Sequence, residues 1–415
     1  QLYNRFYLKA EYTNALKDQI TATPTPTPRP LVPVDYEVTV PESKNPVKDS
    51  YFYHSDGWSY FDDGTLVFSG KKFLDEKCPY SDVAKKVIVC EGFTFINDDH
   101  GYYFSGWPNL ESVWLPDSLT DIRYGAFKNC KNLKDIRFPS KYIKIDSSAF
   151  ENCISLKTVN ISAEYILSHS GNKTFTYMGD SIFAGCTSLE TVTLPSNLTG
   201  IPANCFKGCT NLQNIQLSDT VTYIGYGAFT DCTSLKQINI PDSVTTIDRE
   251  AFQNCRSLES ITLPGEISGG WTYAGNYRGL DSYVFYNCSN LKEVTFKKGT
   301  STQLIGAYDF AGCSNLKKVI LPENVKYIER NAFEDCNALT EIDLHYIEGL
   351  GSDAFKNCSR LKNVSFPTSR IYYSSNVFEN CSSLENAELS GTISNSAFSG
   401  CSNLKKVILH AAESI

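Results

Sequence analysis

Histidines, cysteines and paired carboxylates are where chemistry would have to start in this chain, and their placement argues against it. The five histidines, at positions 54, 100, 169, 345 and 410, are spread so widely that no two are placed to share a nucleophile or a metal ion. The sequence contains no Gly-x-Ser-x-Gly, no His-Glu-x-x-His, no phosphate-cradling Walker loop and no Gly-x-Gly-x-x-Gly. Asp62 and Asp63 form an acidic pair, but Asp-Asp-Gly ahead of a strand reads as a turn. The fifteen cysteines are more orderly: twelve close a Phe-x-x-Cys unit, at Cys130, Cys153, Cys186, Cys209, Cys232, Cys255, Cys288, Cys313, Cys336, Cys358, Cys381 and Cys401. Such a column points its thiols into a core, where Cys acts as a small hydrophobe. Parallel Cβ vectors and two equal neighbours per sulfur disfavour disulfides, and a row on one face lacks the tetrahedral convergence that zinc requires. Cys205, beside Cys209, is expected to pack rather than pair, whereas Cys78 and Cys90 lie outside the column and are compatible with a bridge or with two free thiols. No catalytic residue, metal ligand or cofactor is expected.

The elements that carry these cysteines repeat. The unit reads Ala-Phe-x-x-Cys-x-x-Leu-x-x-Val/Ile-x-Leu/Ile/Phe-Pro, then Val-x-x-Ile, with clear copies at Ala126-Phe127, Ala228-Phe229, Ala251-Phe252 and Ala332-Phe333. A degenerate thirteenth copy comes first, with Phe104 and with Trp107 in the cysteine position; most intervals are 23 residues, with 20, 22, 25 and two of 33. A period this short suits one coil of a solenoid rather than a domain. In Leu235-Lys-Gln-Ile238-Asn-Ile240-Pro241 the apolar residues alternate with Gln237 and Asn239, the two-residue period of a half-buried strand, and Pro241 ends it. Val244-Thr-Thr-Ile247 is a second short extended segment, and Ala251-Phe252 turns the chain back. No segment holds the ten or more residues of 3.6-residue periodicity that a helix needs, so short strands, turns and single helical turns are expected on the convex side of a curved, single-layer parallel sheet. Thirteen coils at about 4.8 Å would extend on the order of 60 Å.

These repeats resemble the BspA-like class of leucine-rich repeats, and the resemblance covers about three quarters of the chain. It implies a leucine-rich repeat solenoid, and proteins that are secreted by, or attached to the surface of, bacteria meeting host tissue or other cells. Gly57-Trp58, Asp63-Gly-Thr-Leu66-Val-Phe68 and Lys86-Val-Ile-Val89 resemble the N-terminal cap that such arrays carry, which would shield the edge of the first coil. No C-terminal cap is legible after Val407-Ile408-Leu409. The expected organisation is an N-terminal segment (1–20), a Thr/Pro-rich spacer (21–46), a β-rich cap (47–106) and an array of about 13 units (107–415). Thr23-Pro-Thr-Pro-Thr-Pro28-Arg-Pro30 is a polyproline II stretch roughly 25 Å long at about 3.1 Å per residue.

With chemistry set aside, recognition is what the surface could do. The outward positions of the concave strands carry Trp114, Arg137, Asn160, Asn214, Gln216, Gln237 and Asn239 among Ser and Thr, a floor of neutral amides and hydroxyls in its middle, with Lys318, Ile320, Lys406 and Ile408 exposed toward the C-terminus. Aromatic residues, which usually dominate affinity, cluster instead in two insertions of about ten residues, with Tyr165, Phe175 and Tyr177 in the first and Trp271, Tyr273, Tyr277 and Arg278 in the second. Both are expected to bulge from the same rim. The composition, 46 acidic against 38 basic residues and a net charge of -8, leaves no basic surplus for nucleic acid, and the longest apolar runs are far short of the roughly 20 residues of a membrane span. The expectation is a non-enzymatic, monomeric, extracellular or cell-surface protein that binds a host extracellular or bacterial surface protein through its concave face and rim. The alternative is a carbohydrate-binding module gripping a glycan with the rim aromatics and the Asn/Thr/Gln floor. The chain begins at Gln1, and the sequence leaves open whether a signal peptide, a membrane anchor or nothing of interest precedes it.

Overall fold

Each repeat unit forms one turn of a parallel β-solenoid of about 13 turns, with no helix among the described residues. The computed structural model describes residues 57–70, 78–96, 103–161, 178–268, 278–299, 301–365 and 374–410 apart from 393 and 395, and only the backbone of 9–10, 36–37, 48–51, 164–165, 168–170, 173–175, 371–373 and 391–392.

Two parallel ladders run along the array, the first with gaps at 212–218, at 235–241, where a strand was expected, and at 341–344, where the coil keeps its alternating burial but forms no strand. The first is built from the Leu-x-x-Ile-x-Leu segments: in Ser260–Leu263, Ile261 and Leu263 point inward while Ser260 and Thr262 face solvent, and the strand pairs in register with Glu293–Phe296, which pairs in turn with Lys318–Ile320. The second is built from the Val-x-x-Ile segments, such as Gly200–Ile201, Tyr223–Ile224 and Thr246–Ile247. It is interrupted twice, after Glu164–Tyr165 and after Thr246–Ile247, at the two coils that carry the insertions.

The third side contains turns where single helical turns were expected. Lys128 and Cys130 donate to carbonyls three residues back, at Gly125 and Phe127, while Gly125, Phe127 and Asn129 donate across to Ser147, Ala149 and Glu151 of the next coil. This alternation prevents a helix because each coil is twice thrown into the left-handed region. The residue before each repeat cysteine has φ between 59° and 76° and is Asn, Asp or Gly, the types that tolerate it. The side-chain amides at these positions form a ladder of their own, as where Asn254 donates to Asp231 at 2.8 Å and Asn357 to Asp335 at 2.8 Å.

Inside, thirteen phenylalanines from Phe104 to Phe398 stack face to face along the axis, with ring centroids 5.2–5.8 Å apart and planes within 13° of parallel. The cysteines form the expected column of free thiols, each donating to the carbonyl of the phenylalanine one coil earlier, as from Cys255 to Phe229 at 3.2 Å. Cys205 is fully buried, and Cys78 and Cys90 are unpaired. Burial pushes the thiols up, to about 11 at Cys78 and about 12 at Cys186, so they are neutral and poorly nucleophilic at physiological pH.

At the N-terminal end, Lys48–Tyr51, Gly57–Tyr60 and Thr65–Ser69 pair antiparallel, and Lys86–Val89 then joins the last of them in parallel and passes the ladder on to Ser112–Trp114. Phe68 meets Phe104 edge-on at 5.6 Å and ends the stack. At the other end the alternation fails. Val407 and Leu409, inward by pattern, are 42% and 61% exposed while Ile408, expected to be exposed, is half-buried, because no described coil packs over Lys406–His410.

Candidate functional site

The amide floor is an exposed surface that spans a gap in the first ladder between Thr191–Thr193 and Ser260–Leu263, where residues 212–218 and 235–241 follow the coil without forming strands. Asn160, Asn214, Gln216, Gln237 and Asn239 all face solvent, alongside the exposed Thr158, Thr191, Thr193 and Thr262. The inward partners Val159, Ile215, Ile238 and Ile261 are buried and fix which way those amides point. Ion pairs between neighbouring coils flank this neutral stretch, Lys134 with Glu111 at 2.8 Å on one side and Lys292 with Glu259 at 2.7 Å and Lys318 with Glu293 at 2.6 Å on the other. The lysines hold the carboxyls of Glu111 and Glu259 below the usual carboxylate range by hydrogen bonding.

Trp114 and Arg137 are not open contacts of the same kind. The Trp114 ring lies between two cations, Lys86 Nζ at 5.8 Å and Arg137 Cζ at 5.7 Å from its centroid, and Arg137 also donates to the Leu115 carbonyl at 2.8 Å. Both side chains are half-buried, so they form a preassembled plate at one end of the floor.

The insertions leave from corresponding points of the second ladder. The first departs after Tyr165, opposite Ile143, and the chain is back in place where Gly179 donates to Ile145 at 2.9 Å. Between them Ser168–Ser170 and Lys173–Phe175 pair as an antiparallel hairpin. The second departs after Ser268, which donates to Thr245 at 2.8 Å, and rejoins where the Arg278 carbonyl accepts from Gln303. Arg278 is exposed. The side chains of Tyr165 and Phe175, and Tyr177, Trp271, Tyr273 and Tyr277 altogether, lie outside the described residues.

A feature that sequence reasoning did not mark lies on the flank, between the second ladder and the turns. Arg249, Tyr283, Tyr308 and Arg330 come from four successive coils and line up in one column, with Tyr283 and Tyr308 stacked at 4.7 Å. The signal was present as two tyrosines just ahead of the repeat's Ala position, where the adjoining coil has Glu250 and most others have Gly, Ser, Asn or Asp, but a consensus treats such exceptions as noise. Among the described residues no group of three or more His, Cys, Asp or Glu is arranged to hold a metal ion, and no helix is long and apolar enough to cross a membrane.

Comparison with known proteins agrees with this architecture. The family model for the BspA type leucine rich repeat region matches in six copies, over residues 100–177, 165–274 and 278–411. A leucine-rich repeat protein from Bacteroides ovatus is similar at 25% identity and a TM-score of 0.58, over 82% of this chain and 94% of that one. A leucine rich cell surface protein from Faecalibacterium prausnitzii is 21% identical over 89% of this chain and 96% of its own, with a TM-score of 0.39. The pneumococcal vaccine antigen PcpA is 18% identical over 82% and 87%, with a TM-score of 0.42. No curated protein matches the sequence.

Proposed function

Because the chain belongs to the BspA-type leucine-rich repeat family, we propose that it is a non-enzymatic recognition protein at a bacterial surface or secreted from one, which binds a host or bacterial surface protein through the amide floor and the two insertions beside it. The observation that carries this reading is the floor itself. From Thr158 to Thr262 the outward positions that alternate with the buried aliphatic residues hold neutral amides and hydroxyls, bordered by one row of exposed charged residues that includes Lys157, Glu190, Lys236 and Glu259. Preorganised donors and acceptors on a close-packed solenoid lose little entropy on binding, and loops on such a scaffold are where affinity is usually concentrated.

The test starts with pull-down from extracellular-matrix proteins and from bacterial surface extracts, followed by affinity measurement for the captured protein. Trp271→Ala and Tyr273→Ala should each weaken binding by about 2 kcal/mol, some thirtyfold, and Asn239→Ala by less. Circular dichroism would verify that each variant folds. If the loop variants bind like wild type while the floor variant fails, the insertions have no part in the site; if all three bind like wild type, the whole reading is wrong.

A further inference from the structure

We propose that the flank formed by residues 249–374 holds a second, separate binding site, for a neutral oligosaccharide. A cavity of about 830 Å³ opens there, lined by Arg249, Tyr283, Tyr327, Glu329, Arg330 and Ser352 and floored by glycines. It lies within the range of roughly 300–1,000 Å³ typical of small-ligand sites. The site does not depend on the floor and insertions invoked above.

The first argument is strain. One residue per coil, just ahead of the repeat's Ala position, is left-handed; elsewhere it is Gly125, Ser148, Ser181, Asn204, Gly227, Asn331, Asp353 or Asn376. Among the described residues left-handed at this position, three in consecutive coils have long side chains, Glu250 at φ 62°, Tyr283 at 64° and Tyr308 at 60°. Bulky residues are strongly disfavoured there, and the protein accepts three of them side by side, with the middle one, Tyr283, in the wall of the cavity. The fold does not require them, since the other coils manage with small or amide side chains.

The second argument is the space. Gly349 and Gly351 lie where a Cβ would come within 2.8 Å of the Tyr327 ring and 2.3 Å of the Arg330 backbone nitrogen. A side chain at either would collide with the coil before it, so these glycines let the coils stack closely beneath the cavity, as Gly179, Gly225 and Gly306 do at the place of Gly351 in other coils.

The third argument is the chemistry of the walls. Tyr283, Arg249 and Arg330 line the cavity, and Tyr308, outside the lining, stacks on Tyr283 at 4.7 Å; the Arg249 guanidinium lies 5.0 Å from the Tyr283 ring and that of Arg330 5.9 Å from the Tyr308 ring. The rings are half-buried and both arginines exposed, so ring and guanidinium edges are within reach. Arg249 Nε is paired with Glu250 at 3.1 Å, and Arg330 lies close enough to Glu329 to oppose the burial that raises its carboxyl. Cation and carboxylate thus alternate, and no net charge selects an ion. A sugar hydroxyl, which donates and accepts at once, can use both groups and the serine hydroxyls between them, while the C–H face of a pyranose ring lies against tyrosine. An extended peptide is disfavoured because backbone groups along this wall are already spent between coils: Lys326 donates to Gln303, Glu329 to Ile305 and Gly351 to Ile328 at 2.8–3.0 Å.

The experiment screens the full chain against an array carrying neutral oligosaccharides (glucans, xylans, mannans and N-acetylglucosamine oligomers) beside sialylated and uronic-acid glycans. Calorimetric titration then follows with the best neutral oligomer. The double variant Tyr283→Asn/Tyr308→Asn should lose at least about tenfold in affinity while melting no lower than wild type, because asparagine suits the left-handed position. Arg330→Ala, at an exposed site, should weaken the same ligand, and Asn239→Ala on the floor should not. The inference is overturned if wild type binds no neutral oligosaccharide at millimolar concentration or only acidic glycans, or if the double variant binds unchanged. It also falls if the double variant melts lower, since the tyrosines would then be structural. Loss of glycan binding in Asn239→Ala alone would move the site to the floor without touching the protein-binding reading.

Discussion

A single residue in the Ala position of the repeat shows how far one side chain can depart from its column. At the point where most coils place Ala or another small apolar residue, the coil of Phe310 places Asp309, whose side chain is fully buried and accepts from Val284 at 3.1 Å and from Gly306 at 2.6 Å. Burial raises its carboxyl well above the usual 3.8, and those two N–H groups pull it down without winning. The folded state therefore holds a proton that the unfolded chain releases. The carboxyl costs nothing below about pH 4 and costs progressively more as pH rises from there toward the raised value. Asp281 and Glu329, also raised by burial, titrate in the same sense but remain in a variant, so a comparison isolates Asp309. Asp309→Asn should gain on wild type in melting temperature steadily between about pH 4 and pH 8. A difference that stays constant over that range would mean that the folded carboxyl titrates normally.

At the scale of the coil, the turn side is held in shape by its left-handed residues. Asn254, at φ 60°, both tolerates that conformation and donates to Asp231. Asn254→Ala should cost about 1–2 kcal/mol in backbone strain beyond the lost hydrogen bond, and Asn254→Gly should cost less than the alanine change, the reverse of the ranking on a regular helix. Thermal melts of the two variants check the order; alanine melting above glycine would place the residue outside the left-handed region. The inward and outward faces were legible because their information is periodic, even at 235–241, where the expected strand does not form. Ile238 and Ile240 inward with Gln237 and Asn239 outward is a pattern that one coil states and eleven repeat, and the thiol column follows from the same logic. The turns were less legible because Asn, Asp and Gly before cysteine suit several backbone shapes, and only the bonds to the next coil select one. Least legible was the Arg249–Tyr283–Tyr308–Arg330 column. Its members are 22–34 residues apart in sequence and become neighbours only once each coil is stacked on the last.

For the whole molecule, stability is a sum of coils and of the interfaces between them, so the cost of a change depends on how many interfaces it touches. Phe252 is fully buried and stacks on both sides, 5.2 Å from Phe229 and 5.3 Å from Phe285. Phe398 is half-buried, with one stacked neighbour among the described residues, Phe378 at 5.6 Å, and its coil leads into the exposed Val407 and Leu409. Phe252→Ala should therefore cost about 3–5 kcal/mol by emptying a core slot and weakening two interfaces at once, and Phe398→Ala less. The two variants should also differ in kind. Weakening the middle divides the array into two blocks, so the Phe252 variant should melt over a broader range or in two steps, whereas the Phe398 variant should keep one transition close to that of wild type. Calorimetry with hydrogen exchange distinguishes them, since exchange should quicken on both sides of Phe252 in the first variant and only in the last coils in the second. Equal losses with equally sharp transitions would mean that the array unfolds as one body and that coupling between coils reaches well beyond nearest neighbours.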